Sequence, residues 1–110
     1  MGFAIDTETK FDDLGLTLSG CYYSFKGNCR INRYIEAENA IKYNIYGHYD
    51  VYASKATYTD GGVPLKKKCG FNCVVNSLDN VEPVTKLYTD LKTQLKMDLS
   101  ITDADITDYA

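Results

Sequence analysis

The clearest alternation of apolar and polar positions runs from Ile41 to Tyr52. Ile41, Tyr43, Ile45, Tyr49 and Val51 share one parity, while Lys42, Asn44, Tyr46, His48, Asp50 and Tyr52 share the other. Successive side chains of a strand point to opposite faces, so this period predicts a strand with one buried face. Fully extended, the stretch would reach about 40 Å, which is long for a small domain. Gly47 near its middle therefore predicts a bend, carrying the strand around a barrel corner or into a second sheet.

Earlier in the chain, Leu14, Leu16 and Leu18 alternate, and Cys21, Tyr23 and Phe25 alternate one register out of phase. A β-bulge at Ser19-Gly20 reconciles the two halves, because one inserted residue returns the apolar side chains to the core face. Lys26-Gly27-Asn28 reads as a tight turn, and Arg30 to Glu36 as a second short strand. Residues 36–40 add a helical turn or a loop. After the central stretch, Ser54 to Tyr58 either continue the sheet or form a brief helical turn, and Asp60-Gly61-Gly62 interrupts the pattern. Leu65 to Asn76 predicts another strand, with Cys69, Phe71, Cys73 and Val75 on one parity.

The period then changes. Asp79-Asn80-Val81-Glu82-Pro83 reads as a helix entrance, since a polar cap accepts a free backbone N–H and proline is tolerated in the first turn. Val84, Leu87, Tyr88, Leu91 and Leu95 follow at helical spacing, and Lys86, Asp90, Lys92, Gln94 and Lys96 cover the rest. These elements predict a mainly β fold: a small antiparallel β-sandwich or partly open barrel, with one C-terminal amphipathic α-helix packed on a sheet. Residues 1–110 form one expected domain. Residues 1–13 are an N-terminal arm or an ordinary edge segment, and residues 98–110 an acidic C-terminal segment that is either a short strand or a tail ordered by a partner.

Charge adds a polarity to this layout. The net charge is −3, from 15 acidic and 12 basic residues, which gives no general attraction to nucleic acid or an anionic membrane. Both ends are acidic, whereas residues 21–76 hold eight basic side chains against four acidic ones. No apolar run approaches the roughly 20 residues needed to span a bilayer, so membrane insertion is not expected. The N-terminus lacks the basic and apolar regions of a secretory signal, and a soluble product that stays in its compartment is expected. Ten tyrosines without a tryptophan suit the rim of a small β-core, a protein interface, or stacking on sugars or bases.

Candidate chemistry is sparse. Cys21, Cys29, Cys69 and Cys73 are four potential thiolate ligands, but their spacing departs from that of zinc ribbons. On an extended strand Cys69 and Cys73 would lie roughly 13 Å apart, so reduced cysteines packed as small apolar side chains are expected. His48, the single histidine, shares a parity with Tyr46 and Asp50, a row that any solvated sheet face can carry. Lys66-Lys67-Lys68 reads as a solvated edge whose lysines alternate between faces, as a contact for an acidic protein surface, or as a phosphate patch with Arg30, Arg33 and Lys55. Gly61 to Lys66 lacks the spacing of a phosphate loop, and the aspartates lack that of a calcium loop. No catalytic residue, cofactor or metal ligand is therefore assigned. Tyr46, Tyr49, Tyr52, Lys66, Lys67 and Lys68 are the candidate interface residues.

Gly20-Cys21-Tyr22-Tyr23, the strand Tyr49-Asp50-Val51-Tyr52-Ala53-Ser54-Lys55-Ala56 and the helical Leu87-Tyr88-Thr89-Asp90-Leu91-Lys92 occur in an order that resembles small virion-associated proteins of tailed bacteriophages and prophages. The resemblance implies a non-enzymatic building block of the head, neck, tail or baseplate, present in several copies. Its partners would be other virion proteins and further copies of itself, in the host cytoplasm during assembly and then in the virion. The rival expectation is a small tyrosine-rich carbohydrate- or ligand-binding module. An enzyme would require His48, Asp50 or the cysteines to converge with groups distant in sequence.

Overall fold

The computed structural model describes residues 2–109. In chain order these form β1 (Gly2–Phe11), β2 (Leu16–Ile35), β3 (Ile41–Tyr52), a short α1 (Lys55–Thr59), β4 (Lys66–Val75), α2 (Pro83–Leu99) and β5 (Ile106–Tyr109). The five strands make one antiparallel sheet in the order β4-β3-β2-β1-β5. The fold is thus mainly β, with the amphipathic C-terminal helix packed on the sheet. The sheet stays open, and α2 supplies the layer that a second sheet would supply in a sandwich. After β4 the apolar residues follow the helical period, and the four-residue β5 that remains pairs with β1 at the sheet edge.

The two parities of the strands build two separate apolar clusters. On the α2 side, Phe3, Ile5, Cys21, Tyr23 and Val51 pack beneath Tyr88 and Leu91. On the other side, Ala4, Tyr22 and Tyr52 pack with Tyr58 of α1 and Tyr109 of β5. Gly47 neither ends β3 nor carries it into another sheet, contrary to the expected corner. A Cβ at this position would lie 3.0 Å from Leu87 and 3.2 Å from Phe25, so the missing side chain lets α2 come close to the strand.

Helix ends follow local rules. Glu82, within the expected helix entrance, is the N-cap of α2, its carboxylate accepting the Thr85 N–H at 2.7 Å, with Pro83 in the first turn. Ser100 closes the helix in the left-handed region at φ 55°. Ser54 caps α1 by accepting the Thr57 N–H, which settles the helical alternative for that segment.

Strand irregularities decide more than the strand count does. The β1–β2 register shifts between the Ile5–Cys21 and Glu8–Ser19 pairs, with Gly20 at φ +76°. Leu18 and Cys21 then pack in the same cluster, as the expected bulge requires, although the extra residue lies on β1. Lys26-Gly27-Asn28 is not a turn. It lies inside the 20-residue β2, where four steps on β2 oppose two on β3 between the Lys26–His48 and Arg30–Tyr46 pairs. Gly27 at φ +71° takes up the surplus chain locally, so Arg30 to Ile35 continue the same strand.

β1 is an interior strand between β2 and β5, and Phe3 and Ile5 are among the most buried residues. The acidic C-terminal segment is drawn onto the fold by Lys92–Asp108 at 3.0 Å and Lys96–Asp103 at 2.8 Å, and by Thr107 donating to Asp6 at 2.6 Å.

Candidate functional site

The sheet face opposite α2 carries a depression of about 410 Å³ lined by Lys26, Gly27, His48, Asp50, Lys67 and Lys68. Two irregularities, one on each strand flanking β3, build it. On β2 the bulge at Gly27 opens the floor beside Lys26. On β4 the register passes from Tyr49–Cys69 to Val51–Lys66, so three steps on β4 oppose two on β3. Lys66 and Cys69 both fall on the α2 side, and the surplus residue turns Lys67 and Lys68 together towards the opposite face. This corrects the expectation that the three lysines alternate, because alternation holds only where the ladder is regular.

Lys68 occupies the left-handed region at φ 54°, a conformation that costs a side-chain-bearing residue about 1–2 kcal/mol. Its N–H donates to Asp50 Oδ1 at 2.9 Å, which holds the bulge in place. Asp50 therefore acts as a backbone clamp. His48 shares its face, as the alternation predicts, but its Nε2 lies 3.1 Å from the Tyr46 hydroxyl. The row Tyr46, His48 and Asp50 is thus engaged in bonds that hold this face together.

The lysines divide into two groups. Lys10, Lys42, Lys66, Lys86, Lys92 and Lys96 each have a carboxylate within 4.0 Å. Among the described residues Lys26, Lys55, Lys67 and Lys68 have no such partner, and all four belong to the face opposite α2. Two of them lie against tyrosine rings instead. Lys26 Nζ is 4.6 Å from the Tyr58 centroid, and Lys55 Nζ is 5.0 Å from the same centroid. Burial disfavours the Lys26 charge, but a hydrogen bond with Tyr52 and the neighbouring tyrosines and Asp50 favour it, and its pKa is raised on balance.

The three tyrosines read as contact anchors do not share a surface. Tyr46 lies on the basic face, its hydroxyl so close to Gly70 that a Cβ there would be 2.7 Å away. Tyr49 is half-buried on the α2 side against Tyr23 and Phe25. Tyr52 is only 5% exposed, packed against Tyr22 and Tyr58, so it is core and offers no exposed anchor. Lys66 is likewise separated from its neighbours and pairs with Asp13 at 3.2 Å on the α2 side. Lys26 and Gly27 were missed as site residues because Lys-Gly-Asn is a turn signature when the partner strand is not in view.

All four cysteines are free thiols, and among the described residues no group of three His, Cys, Asp or Glu side chains is placed to hold a metal ion. Burial raises the Cys21 thiol pKa. Cys73 is pushed up to about 11, by burial first and then by the charge and hydrogen bond of Asp90. Alkylation of the folded protein near pH 7 should therefore label Cys21 and Cys73 at least about tenfold more slowly than in urea. Peptide mapping checks this, and labelling of Cys73 at the unfolded-chain rate would contradict its placement. No helix among the described residues is long and apolar enough to cross a membrane. The chain matches no protein-family model, no curated protein and no solved structure.

Proposed function

We propose that the chain is a non-enzymatic assembly protein of a tailed-phage particle, making repeated contacts with further copies of itself and with other virion proteins. The observation that carries this reading is the ribbon in which β2 and β3 outrun the rest of the sheet. Among the described residues the β1 ladder with β2 runs as far as the Phe3–Tyr23 pair, whereas β2 and β3 stay paired to Ile35–Ile41. The Phe25 N–H donates to the Tyr88 hydroxyl at 2.8 Å. Beyond it, among the described residues, β2 has no strand on its β1 side. Ile31, Ile35 and Ile41 are exposed along this ribbon, Ile35 at 61%. They share the parity of Ile45, the face that α2 covers further along the strand.

An unpaired edge with exposed branched apolar side chains is ordinarily covered or charged, because it templates pairing with another chain. Here it offers main-chain hydrogen bonds together with Ile31 and Ile35 on one face, with Arg33 between them. The occupant this favours is the same ribbon of a second copy, since a two-fold contact pairs the two free β2 edges and brings Ile31 and Ile35 of each copy against those of the other, with Ile41 on the adjacent strand flanking the contact. The virion setting, with assembly in the host cytoplasm, rests on the resemblance of the Gly20–Tyr23, Tyr49–Ala56 and Leu87–Lys92 stretches.

Light scattering across a concentration series tests the reading. The protein is expected to form a discrete oligomer, and the double variant Ile35→Asp/Ile41→Asp to be monomeric with an unchanged circular dichroism spectrum. A wild-type monomer at every concentration, or an oligomer indifferent to both substitutions, sinks assembly through the ribbon.

A further inference from the structure

We infer that the basic depression opposite α2 is a binding site for a small molecule carrying two or more linked phosphate groups. It is independent of the ribbon, which presents its isoleucines on the other side of the sheet.

Three observations converge. The first is charge: of the ten lysines in the chain, the four without a carboxylate partner among the described residues are gathered on this one face. They come from β2, α1 and the β4 bulge, so the tertiary fold concentrates them despite a net charge of −3. Arg30 joins them, because it pairs with Tyr46 on the same face.

The second is construction. A regular β4 would send Lys67 and Lys68 to opposite faces, and the bulge that brings them together forces Lys68 to φ 54°. Asp50, the sole carboxylate lining the depression among the described residues, holds the bulge by accepting the Lys68 N–H, and the three lysines that line it outnumber its one negative charge. Strain held in place at a cluster of unneutralised cations is the pattern of a site, since a solvated edge needs no such arrangement.

The third is size and ligand type. About 410 Å³ lies within the range of small-molecule sites and has room for more than one phosphate group. Lysine ammoniums act as point charges with several donors, which suits the many-oxygened, multiply charged surface of a di- or triphosphate. An incoming polyphosphate would meet Lys67 and Lys68 on one wall and Lys26 on the other, with Lys55 beside the Tyr58 ring at the margin.

The test is an amide-resolved NMR titration of the full chain with sodium tripolyphosphate, with orthophosphate and a glutamate-rich peptide in parallel. Saturable shifts are expected at Gly27, His48 and Lys68, with tripolyphosphate binding about tenfold more tightly than orthophosphate and weakening as salt is added. Lys68→Gly removes a cation while glycine accepts the left-handed backbone without strain, so the fold is kept. Together with Lys26→Ala it should weaken binding by about tenfold or more. Asp50→Asn retains an oxygen for the Lys68 N–H and removes the negative charge, so it should tighten binding by a few-fold. Shifts spread evenly over Lys10, Lys86 and Lys92, or an affinity indifferent to these variants, would overturn the inference. Tighter binding of the acidic peptide than of tripolyphosphate would also overturn it and assign the face to an acidic protein segment.

Discussion

Leu91→Ala is expected to destabilise the protein by about 3 kcal/mol and to lower its melting temperature by roughly 15 °C. Leu91 is 2% exposed and stands on the α2 face that closes over Phe3, Ile5, Cys21, Tyr23 and Val51. Those neighbours are on strands paired on both sides, so they collapse little into the vacated space, and the cavity term adds to the lost transfer energy. The control is Met97→Ala, three residues before the end of the C-cap turn and 68% exposed, which should change stability by less than about 0.5 kcal/mol. Urea denaturation of the two variants gives the comparison directly. Equal and small losses would mean that α2 does not form the second layer of the core.

Alkaline unfolding is the second large effect. Burial raises the Tyr22 phenol to about 12, with the nearby Tyr58, Tyr88, Tyr109 and Tyr52 adding to the shift, and burial also raises Tyr23 and Tyr49. In the unfolded chain a tyrosine ionises near pH 10. Above about pH 10 the unfolded chain has therefore released protons that the folded chain still holds, and stability falls as pH rises. The contribution of Tyr22 is fully present below pH 10 and is lost through pH 12, amounting to about 3 kcal/mol. Its hydroxyl is buried with no hydrogen-bond partner among the described residues, so Tyr22→Phe should be neutral or stabilising by about 1 kcal/mol near pH 7. The same variant should flatten part of the alkaline loss. Urea midpoints measured on either side of pH 10, with tyrosinate absorbance as the ionisation probe, decide it. A midpoint that holds steady while tyrosinate appears would show that these rings ionise freely in the folded state.

Leu91, Tyr23 and Tyr49 belong to the α2 face of the sheet and Tyr22 to the other, and both faces were partly legible before folding is considered. The alternation from Ile41 to Tyr52 correctly separates Ile45 and Val51, on the α2 side, from His48 and Asp50 on the other. The spacing of Leu87, Tyr88 and Leu91 correctly marks the buried stripe of α2. Tyr52 shows the limit of that logic. Its parity is that of the polar positions, yet α1 folds back and covers it, a contact between elements that no period within a strand can signal.

The candidate site was legible only in fragments. The basic middle of the chain and the Lys66-Lys67-Lys68 run are plain to read, but which lysines gather depends on bulges, and a bulge is a property of two strands. Lys67 and Lys68 share a face because β4 has one residue more than β3 requires between Cys69 and Lys66. Lys26 joins them because Gly27 absorbs surplus chain within β2 where its composition suggests a turn.

Local periodicity, being set by the geometry of a single strand or helix, was sufficient to specify the mainly β character, the C-terminal helix and most of the buried side chains. Register, edge exposure and the gathering of unpaired lysines arise from which residue faces which across a ladder. Those pairings link positions as far apart as Lys26 and His48, or Tyr49 and Cys69, and came into being only when the strands met.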